Sequence, residues 1–509
     1  MPDPAATLLS ELGVRPGLWV NGGWQEGGGG GTTVRNPATG AEIAAFRLAG
    51  AGDFRVAIDG AQAAFTAWRR EPGAARGDLL KRAAALLLQR RRGVAELLTL
   101  EQGKPLSQAL GEVDYAASFF QWFGEEARRP HGRLQPHPQR GREYRVRQVP
   151  AGVAGLVTPW NFPLAQGAKK IAAALAAGCT AVWKPSELTP LVALALGSVL
   201  REAGLPEGAL QVLPAPGPLA GEALTADPRV RVLSLTGSTP TGRTLLKESA
   251  RHLPRLSLEL GGNAPFVILP DADLDEVAQD LVKLKLLCSG QVCVTANRVF
   301  VPASLESALI ARLLPLWRAL KVGNGLAEGV DVGPLIHAKA CERVRGLVEE
   351  ALGLGAELVC ENRTHEGDPS LGGGSFFAPV ILGGVRDDMP LVRDEIFGPV
   401  LPLLSYTDLS DAVSRANATA AGLAAYVYGT DLSLANAVAE ELEAGIVGVN
   451  EWRPLRAEIP FGGTKTSGQG WEGGEEGLRE FCELKVIATP SPSLRPAAGA
   501  SGTRPPGGT

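Results

Sequence analysis

A carboxylate and a thiol are the groups in this sequence best suited to chemistry. Glu259 sits in Leu258-Glu259-Leu260-Gly261-Gly262-Asn263, and Cys293 in the small-residue stretch Ser289-Gly290-Gln291-Val292-Cys293-Val294. A thiolate attacks a carbonyl carbon, and a neighbouring carboxylate then activates the water that releases the acyl product. The same residues have a plain structural reading, a buried thiol acting as a small hydrophobe and an acid in a cap or ion pair. Spacing alone leaves both readings open, so other stretches must decide.

At 509 residues the chain is too long for one core, and two or three domains are expected. Its 54 acidic and 50 basic residues give a net charge of -4, which offers no reason to expect nucleic acid or another polyanion as partner. The six cysteines, Cys179, Cys288, Cys293, Cys341, Cys360 and Cys482, form no C-x-x-C or His-paired spacing. No metal site is therefore expected, and free thiols in a reduced, cytoplasmic protein fit better than disulfides. The N-terminus Met1-Pro2-Asp3-Pro4 has no basic n-region. The longest apolar run, Ile171 to Trp183, is about 13 residues against the roughly 18 to 20 of a membrane span, so no span is expected.

The elements that must position the two groups follow from periodicity. Residues up to Gly13 read as loosely held. Leu18 to Trp24 reads as two short strands about an Asn21-Gly22 turn. Helices are expected over 53–68, 76–92, 93–101 and 107–127. The run Arg90, Arg91, Arg92 lacks interleaved aromatic residues and reads as a solvated face. Residues 130–150, rich in proline and arginine, suit an exposed ribbon able to pair with another subunit, or a plain surface hairpin. From Val153 onward, short apolar strands at 153–157, 180–183, 210–213 and 232–235 alternate with helices at 165–177, 190–203 and 218–225. That alternation implies a parallel sheet covered on both faces, a layout that binds nucleotides at strand carboxyl ends. A second βα region follows, with strands at 264–269, 298–301 and 357–360 and helices at 273–287, 305–320 and 338–354. The glycine-rich loop 362–374 reads as an insertion or a flexible segment, and the tail beyond Pro490 as disordered.

Two strand ends carry candidate nucleotide contacts. In Thr236-Gly237-Ser238-Thr239-Pro240-Thr241-Gly242 the glycines permit close backbone approach, and the helix start that follows suits a phosphate. Lys184, Ser186 and Glu187 leave an earlier strand where an adenosine ribose would lie, and a carboxylate there disfavours a 2'-phosphate. Each has a bland alternative, a small-residue turn and a helix-cap pattern. Glu395 and Phe397 in Glu395-Ile396-Phe397-Gly398-Pro399-Val400 form an acid and an aromatic on a turn, and Pro460 to Gly468 suits a loop lining a site.

In order and separation these segments resemble the NAD(P)-dependent aldehyde dehydrogenases over residues 18–488. The matching stretches are Thr158 to Pro163 (TPWNFP), Lys184 to Glu187 (KPSE), Gly237 to Gly242 (GSTPTG), Leu258 to Asn263 (LELGGN), Gly290 to Cys293 (GQVC), Glu395 to Val400 (EIFGPV) and Pro460 to Gly468 (PFGGTKTSG). The resemblance implies an α/β fold in which a Rossmann-type cofactor domain spans 1–130 and 150–258 and a second α/β catalytic domain spans 259–452. Oligomerisation or bridging elements would lie at 131–149 and 470–490, and a disordered tail at 491–509. Cys293 would attack the aldehyde, with the Asn161 side-chain amide and the Cys293 backbone N–H stabilising the oxyanion at roughly 3 to 4 kcal/mol per donor. Hydride would pass to nicotinamide, Glu259 would activate the hydrolytic water, and Lys170 and Glu472 would relay protons. Thr158, Pro159, Trp160, Lys184, Ser186, Glu187, Gly237, Ser238, Gly242, Leu260, Glu395 and Phe397 would bind the cofactor, and Glu187 would favour NAD over NADP. The partner would be a small-molecule aldehyde, and the assembly a homodimer or homotetramer.

Within that family the sequence is most similar to succinate-semialdehyde dehydrogenases, through Leu258 to Asp275 and Val292 to Val301. It departs from them in the substrate pocket. Leu287 and Lys169 stand where two carboxylate-binding arginines are expected, Leu455 where a serine is, and Thr295 where a second cysteine is. An apolar Leu287 pairs with no carboxylate, and an unpaired buried charge is costly. Arg453 and Arg456 offer a replacement cation from another wall. A less polar or differently anchored aldehyde is expected. The alternatives are succinate semialdehyde itself, transfer of the acyl group to coenzyme A, disfavoured by the presence of Glu259, and an inactive structural relative.

Overall fold

The computed structural model describes residues 4–129, 132–366, 368 and 371–490. The expectation of a disordered tail over 491–509 falls outside the described residues.

Strand Val153–Val157 is the hub of the first sheet. It pairs in parallel with Thr180–Lys184 on one side and Val230–Thr236 on the other. Leu210–Val212 extends the first wing and Arg255–Glu259 the second, again in parallel. The chain winds outward one way from Val153–Val157, then crosses back and winds the other way. The carboxyl ends of Val153–Val157 and Val230–Thr236 are therefore a topological switch point, where open α/β sheets hold ligands. This is the Rossmann-type parallel sheet expected from the sequence. Short antiparallel strands close both edges, Leu18–Val20 with Gly23–Gln25 at one and Gly468–Gln469 alongside Glu259 at the other. The Asn21-Gly22 turn has φ of 52° and 79°, the left-handed pair that a two-residue hairpin needs.

Helix Pro163–Ala177 lies between this sheet and helices Gly73–Gln89 and Leu106–Glu126, and all 15 of its residues are buried. With no solvent face it has no need of a polar stripe, so the few polar residues it carries, Gln166, Lys169 and Lys170, call for buried partners. Pro163 starts it and Gly178, at φ 94°, ends it.

The second sheet runs, in spatial order, Glu357–Glu361, Val380–Gly383, Val400–Tyr406, Arg298–Pro302, Pro265–Ile268, Ala424–Tyr428 and Ile446–Val449. Every adjacent pair is parallel except the first. Its hub, Pro265–Ile268, follows the first sheet's last parallel strand after the short turn 260–264, so the two sheets meet at Glu259. Val380–Gly383, Ala424–Tyr428 and Ile446–Val449 were not among the elements expected from the sequence. A separate antiparallel ribbon pairs Cys482–Pro490 with Arg142–Pro150, and that strand with Gly132–Pro136.

The N-terminus departs from its expectation. Pro4–Glu11 is a helix, and Leu8, Leu9 and Leu12 are buried. Leu8 and Leu12 pack over Gly93 of helix Arg91–Gln102, where a side chain would be crowded. A helix this short is marginal alone, and tertiary packing rather than propensity holds it. Among the described residues no helix is long and apolar enough to cross a membrane, and no cluster of His, Cys, Asp and Glu is placed to hold a metal ion.

Candidate functional site

Helix Leu274–Leu286, capped by the Asp273 carboxylate, delivers the chain to a turn that forces Cys293 inward. Cys288 and Ser289 adopt φ of 49° and 55°, and Gly290 follows at 77°. Left-handed backbone is costly for the two non-glycine residues and persists only where the surroundings fix it. The surroundings do so here. Cys288 N–H donates to Gln108 Oε1 at 2.7 Å and the Ser289 hydroxyl to Gly333 O at 2.9 Å. At Gly290 a Cβ would lie 2.2 Å from the Gly398 carbonyl oxygen, so only glycine fits.

Glycine also lets the two catalytic candidates share one place. A Cβ on Gly262 would stand 2.1 Å from the Cys293 carbonyl oxygen, so the turn that follows the Glu259 strand lies directly against the Cys293 backbone. Cys293 is half-buried and lines a cavity of about 80 Å³. Burial, then the charge of Glu395, pushes its thiol up to about 12, so the free protein holds it as S–H. Asn161, at the end of the loop after Val153–Val157, lines the same cavity. Its side-chain Nδ2 donates to Gln291 O at 2.9 Å, which leaves the second amide hydrogen unused, and its Oδ1 is buried without a partner.

At the back wall of the cavity, which Lys169 lines, four ionisable side chains are packed away from water. Lys169 and Lys170 each pair with a different oxygen of Glu472, and Lys170 Nζ also donates to Ser234 Oγ at 2.9 Å. Glu259, 1% exposed, is the fourth, and neither of its carboxyl oxygens has a hydrogen-bond partner. Burial, followed by repulsion from Glu472, raises the Glu259 carboxyl well above its usual range. Desolvation acts on Glu472 too, but its two lysines outweigh it and keep that carboxyl below the usual range. One of the two acids is thus ionised and the other poised to take up or give a proton, a division that acid–base chemistry uses.

The cofactor candidates gather at the switch point. Ser238 caps helix Thr239–Ser249, with its Oγ accepting from Thr241 N. A Cβ on Gly242 would come within 2.5 Å of Leu260, which seats that helix close against the strand end. Thr158 Oγ1 accepts from the Trp183 indole at 2.9 Å, fixing the loop that continues into Pro159, Trp160 and Asn161. Lys184 and the half-exposed Glu187 form a 2.8 Å ion pair at the next strand's end, with Ser186 Oγ accepting from Leu188 N. Glu395 Oε1 accepts from Gly262 N at 3.4 Å, and burial pushes its carboxyl up to about 7. Phe397, held at φ 48°, meets Trp160 edge-on with ring centres 5.5 Å apart. A helix start, an acid at a strand end and an aromatic side chain near Cys293 are groups able to take an extended dinucleotide.

Of the pocket candidates, Leu287, Lys169, Arg453 and Leu455 line the cavity. Lys169 is engaged by Glu472 and lies 4.1 Å above the Phe461 ring. Among the described residues the Arg453 guanidinium has no ion-pair partner. Arg456 is not in the cavity wall; its guanidinium turns back onto the Arg453 and Leu455 carbonyls at 3.1 and 2.8 Å. The rest of the wall is mostly apolar, and Tyr115, Phe162, Tyr426 and Trp452 in it were not singled out from the sequence. Tyr115 sits in the helix expected over 107–127, whose periodicity accounts for it, Phe162 lies within the TPWNFP stretch, and Tyr426 lies in a strand that was not expected.

The sequence matches the model of the aldehyde dehydrogenase family over residues 24–487. It is 42% identical over 469 residues to succinate-semialdehyde dehydrogenase (NADP+) of Escherichia coli, covering 92% of this chain and 96% of that one. It is 40% identical over 487 residues to 3-sulfolactaldehyde dehydrogenase of Pseudomonas putida, covering 96% and 98%. The fold superposes with a TM-score of 0.92, at 30% identity, on betaine aldehyde dehydrogenase of Staphylococcus aureus in complex with NAD+, over 97% of this chain and 98% of that one.

Proposed function

The chain belongs to the aldehyde dehydrogenase family and oxidises an aldehyde to its carboxylic acid, and from that premise we propose that Cys293 is the nucleophile, Asn161 the oxyanion donor and Glu259 the hydrolytic base. The observation that carries this reading is the buried, unpartnered Glu259 carboxyl at the end of a strand whose following turn, at Gly262, packs on the Cys293 backbone. The Cys293 thiol gives its proton to water as Sγ bonds to the aldehyde carbon, and the carbonyl π electrons move to oxygen, whose negative charge lies beside the free Asn161 amide hydrogen and the Cys293 N–H. A nicotinamide dinucleotide held there would supply the hydride acceptor needed for the hemithioacetal to become a thioester. Glu259, ionised, then removes a proton from water as the water attacks the thioester carbon, and the acid departs with regeneration of the Cys293 thiol. Glu472, with Lys169 and Lys170, tunes and drains that proton. The presence of a base aimed at water favours hydrolysis over acyl transfer to coenzyme A.

Thr158, Pro159, Trp160, Lys184, Ser186, Glu187, Gly237, Ser238, Gly242, Leu260, Glu395 and Phe397 hold the dinucleotide in this reading. The Glu187 carboxylate accepts from ribose hydroxyls and disfavours a 2'-phosphate, so NAD is preferred to NADP. Residues 1–130 and 150–258 serve as the cofactor-binding unit and 259–452 as the catalytic unit, with 131–149 and 470–490 joining subunits of a homodimer or homotetramer. Exposed Leu484 and Val486 on one face of the ribbon support that assembly. The six unpaired cysteines fit the cytoplasm.

For the substrate, apolar Leu287 and a Lys169 already held by Glu472 leave Arg453 as the cation open to an anionic group. The pocket takes an aldehyde less polar than succinate semialdehyde, or one whose charged end reaches Arg453. A panel run with NAD and with NADP should show kcat/KM for aliphatic or aromatic aldehydes at or above that for succinate semialdehyde, and NAD ahead of NADP. A large advantage for the semialdehyde that survives Arg453→Gln would remove the argument from Leu287.

The acid limb of the pH profile follows from the charges. Hydrolysis needs Glu259 ionised, so where hydrolysis limits turnover kcat rises with pH through its raised pKa. Glu472→Gln removes a negative neighbour and releases the lysines' positive charge toward Glu259, and both effects lower that pKa. The limb of the kcat–pH curve should therefore move to lower pH in this variant. A limb that stays in place or moves up would contradict the role given to Glu259.

A further inference from the structure

Outside the cavity, one buried ion pair has its polar contacts directed at the catalytic loop rather than at its own element. Lys104 and Glu112, 1% and 2% exposed, pair at 2.5 Å. Lys104 follows helix Arg91–Gln102 and Glu112 lies in the first half of helix Leu106–Glu126. A charge pair taken fully out of water adds little or nothing to stability compared with apolar residues of the same size, so its retention calls for another reason.

Its partners supply one. Lys104 Nζ donates to the Asn161 backbone carbonyl at 2.7 Å and stands 3.8 Å above the ring of Phe162. Glu112 Oε1 accepts the backbone N–H groups of Leu164 and Ala165 at 3.0 and 3.1 Å, so its carboxylate caps the start of helix Pro163–Ala177. The same stretch grips the other side of the site. Gln102 takes Lys104 N–H on Oε1 at 3.0 Å and donates through Nε2 to Cys288 Sγ at 3.2 Å, while Gln108 accepts Cys288 N–H. Cys288 in turn directs its thiol at the Asn161 carbonyl, 3.5 Å away. Asn161 is thereby held from three directions, with Lys104 and Cys288 on its carbonyl and Gln291 O on its amide. The left-handed turn that presents Cys293 is anchored to the same helix pair.

We propose that Lys104, backed by Glu112, is a positioning residue for aldehyde oxidation, fixing the Asn161 loop of the first sheet in register with the Cys288–Cys293 turn of the second. The inference rests on Asn161 acting as oxyanion donor. Misplacing a stabilising group by about 1 Å costs on the order of 100-fold in rate, and the cost falls on the chemical step. Of the cofactor candidates, Lys184, Ser238 and Glu395 touch neither member of the pair, while Thr158 to Trp160 share the loop that Lys104 holds at Asn161.

Lys104→Met alone leaves the Glu112 charge buried without its cation and risks the fold. The informative protein is Lys104→Met/Glu112→Gln, in which the glutamine oxygen still accepts from Leu164 and Ala165 and no charge is orphaned. Its kcat should fall on the order of 100-fold, far more than the affinity for NAD, which senses the loop only through Thr158 to Trp160, and the rate of Cys293 alkylation by iodoacetamide should stay within about twofold of the parent. Asn161→Ala should produce a comparable loss, and adding it to the double variant should cost little more, because both act through one group. Parental kcat in Lys104→Met/Glu112→Gln would overturn the proposal. So would a loss matched by equal losses in NAD binding and alkylation, which marks general disruption. Parental kcat in Asn161→Ala would instead strike the reading on which the proposal rests.

Discussion

Cys293→Ser is expected to lower NADH formation by at least about a thousandfold, the scale on which removal of a catalytic nucleophile acts. The variant changes one atom and leaves the turn intact, since the left-handed residues Cys288 and Ser289 and the obligatory Gly290 lie upstream of it. NAD binding should be unchanged, because the switch-point groove is built from other side chains. The loss arises because a hydroxyl in this cavity ionises far less readily than the thiol, which burial and Glu395 already hold at about 12. Steady-state absorbance at saturating aldehyde and NAD measures it. The five other cysteines are all buried, and none lines the cavity, so none is placed to substitute.

Glu259→Gln should separate the two halves of the reaction. Attack and oxidation do not call on the carboxylate, so the first turnover should proceed and release about one NADH per active site as a rapid burst. Hydrolysis then lacks its base, and the steady-state rate should fall by roughly 10² to 10⁴, the usual contribution of general base catalysis. Glutamine is close in volume to the neutral carboxyl that the raised pKa implies for the free protein, so the packing around Gly262 should survive. Stopped-flow absorbance with excess aldehyde shows both phases. A variant that loses burst and steady state together would assign Glu259 to an earlier step.

The parts of this site that were legible in the sequence are those whose residue types are dictated locally. Gly242 against Leu260, Gly262 against Cys293 O and Gly290 against Gly398 O are positions where a Cβ has no room. Such requirements leave a written trace in the motifs GSTPTG, LELGGN and GQVC. The alternation of short buried strands with helices, from Val153–Val157 onward, conveyed the parallel sheet for the same reason.

What escaped was set by contacts distant along the chain. Lys104 falls between two expected helices and Glu112 reads as an ordinary member of the second, and nothing nearby announces that they face Asn161. Lys169 stands in the pocket where an arginine is expected, and its engagement by Glu472, hundreds of residues away, left no trace in the sequence around it. Arg456 was considered beside Arg453, yet the backbone of 453–456 turns it onto neighbouring carbonyls. The Pro4–Glu11 helix carries too few apolar residues to announce itself and depends on the space above Gly93.

The central claim is that the substrate's acyl group passes through the sulfur of residue 293. It is tested most directly by mixing Glu259→Gln protein with NAD and a turned-over aldehyde, quenching in acid within the burst, and mapping peptides by mass spectrometry. One acyl group per chain, carried as a thioester on the peptide containing Cys293 and absent when NAD is omitted, is the expected result. NADH produced in the burst without any acyl mass on Cys293, or with that mass on another residue, would contradict the account.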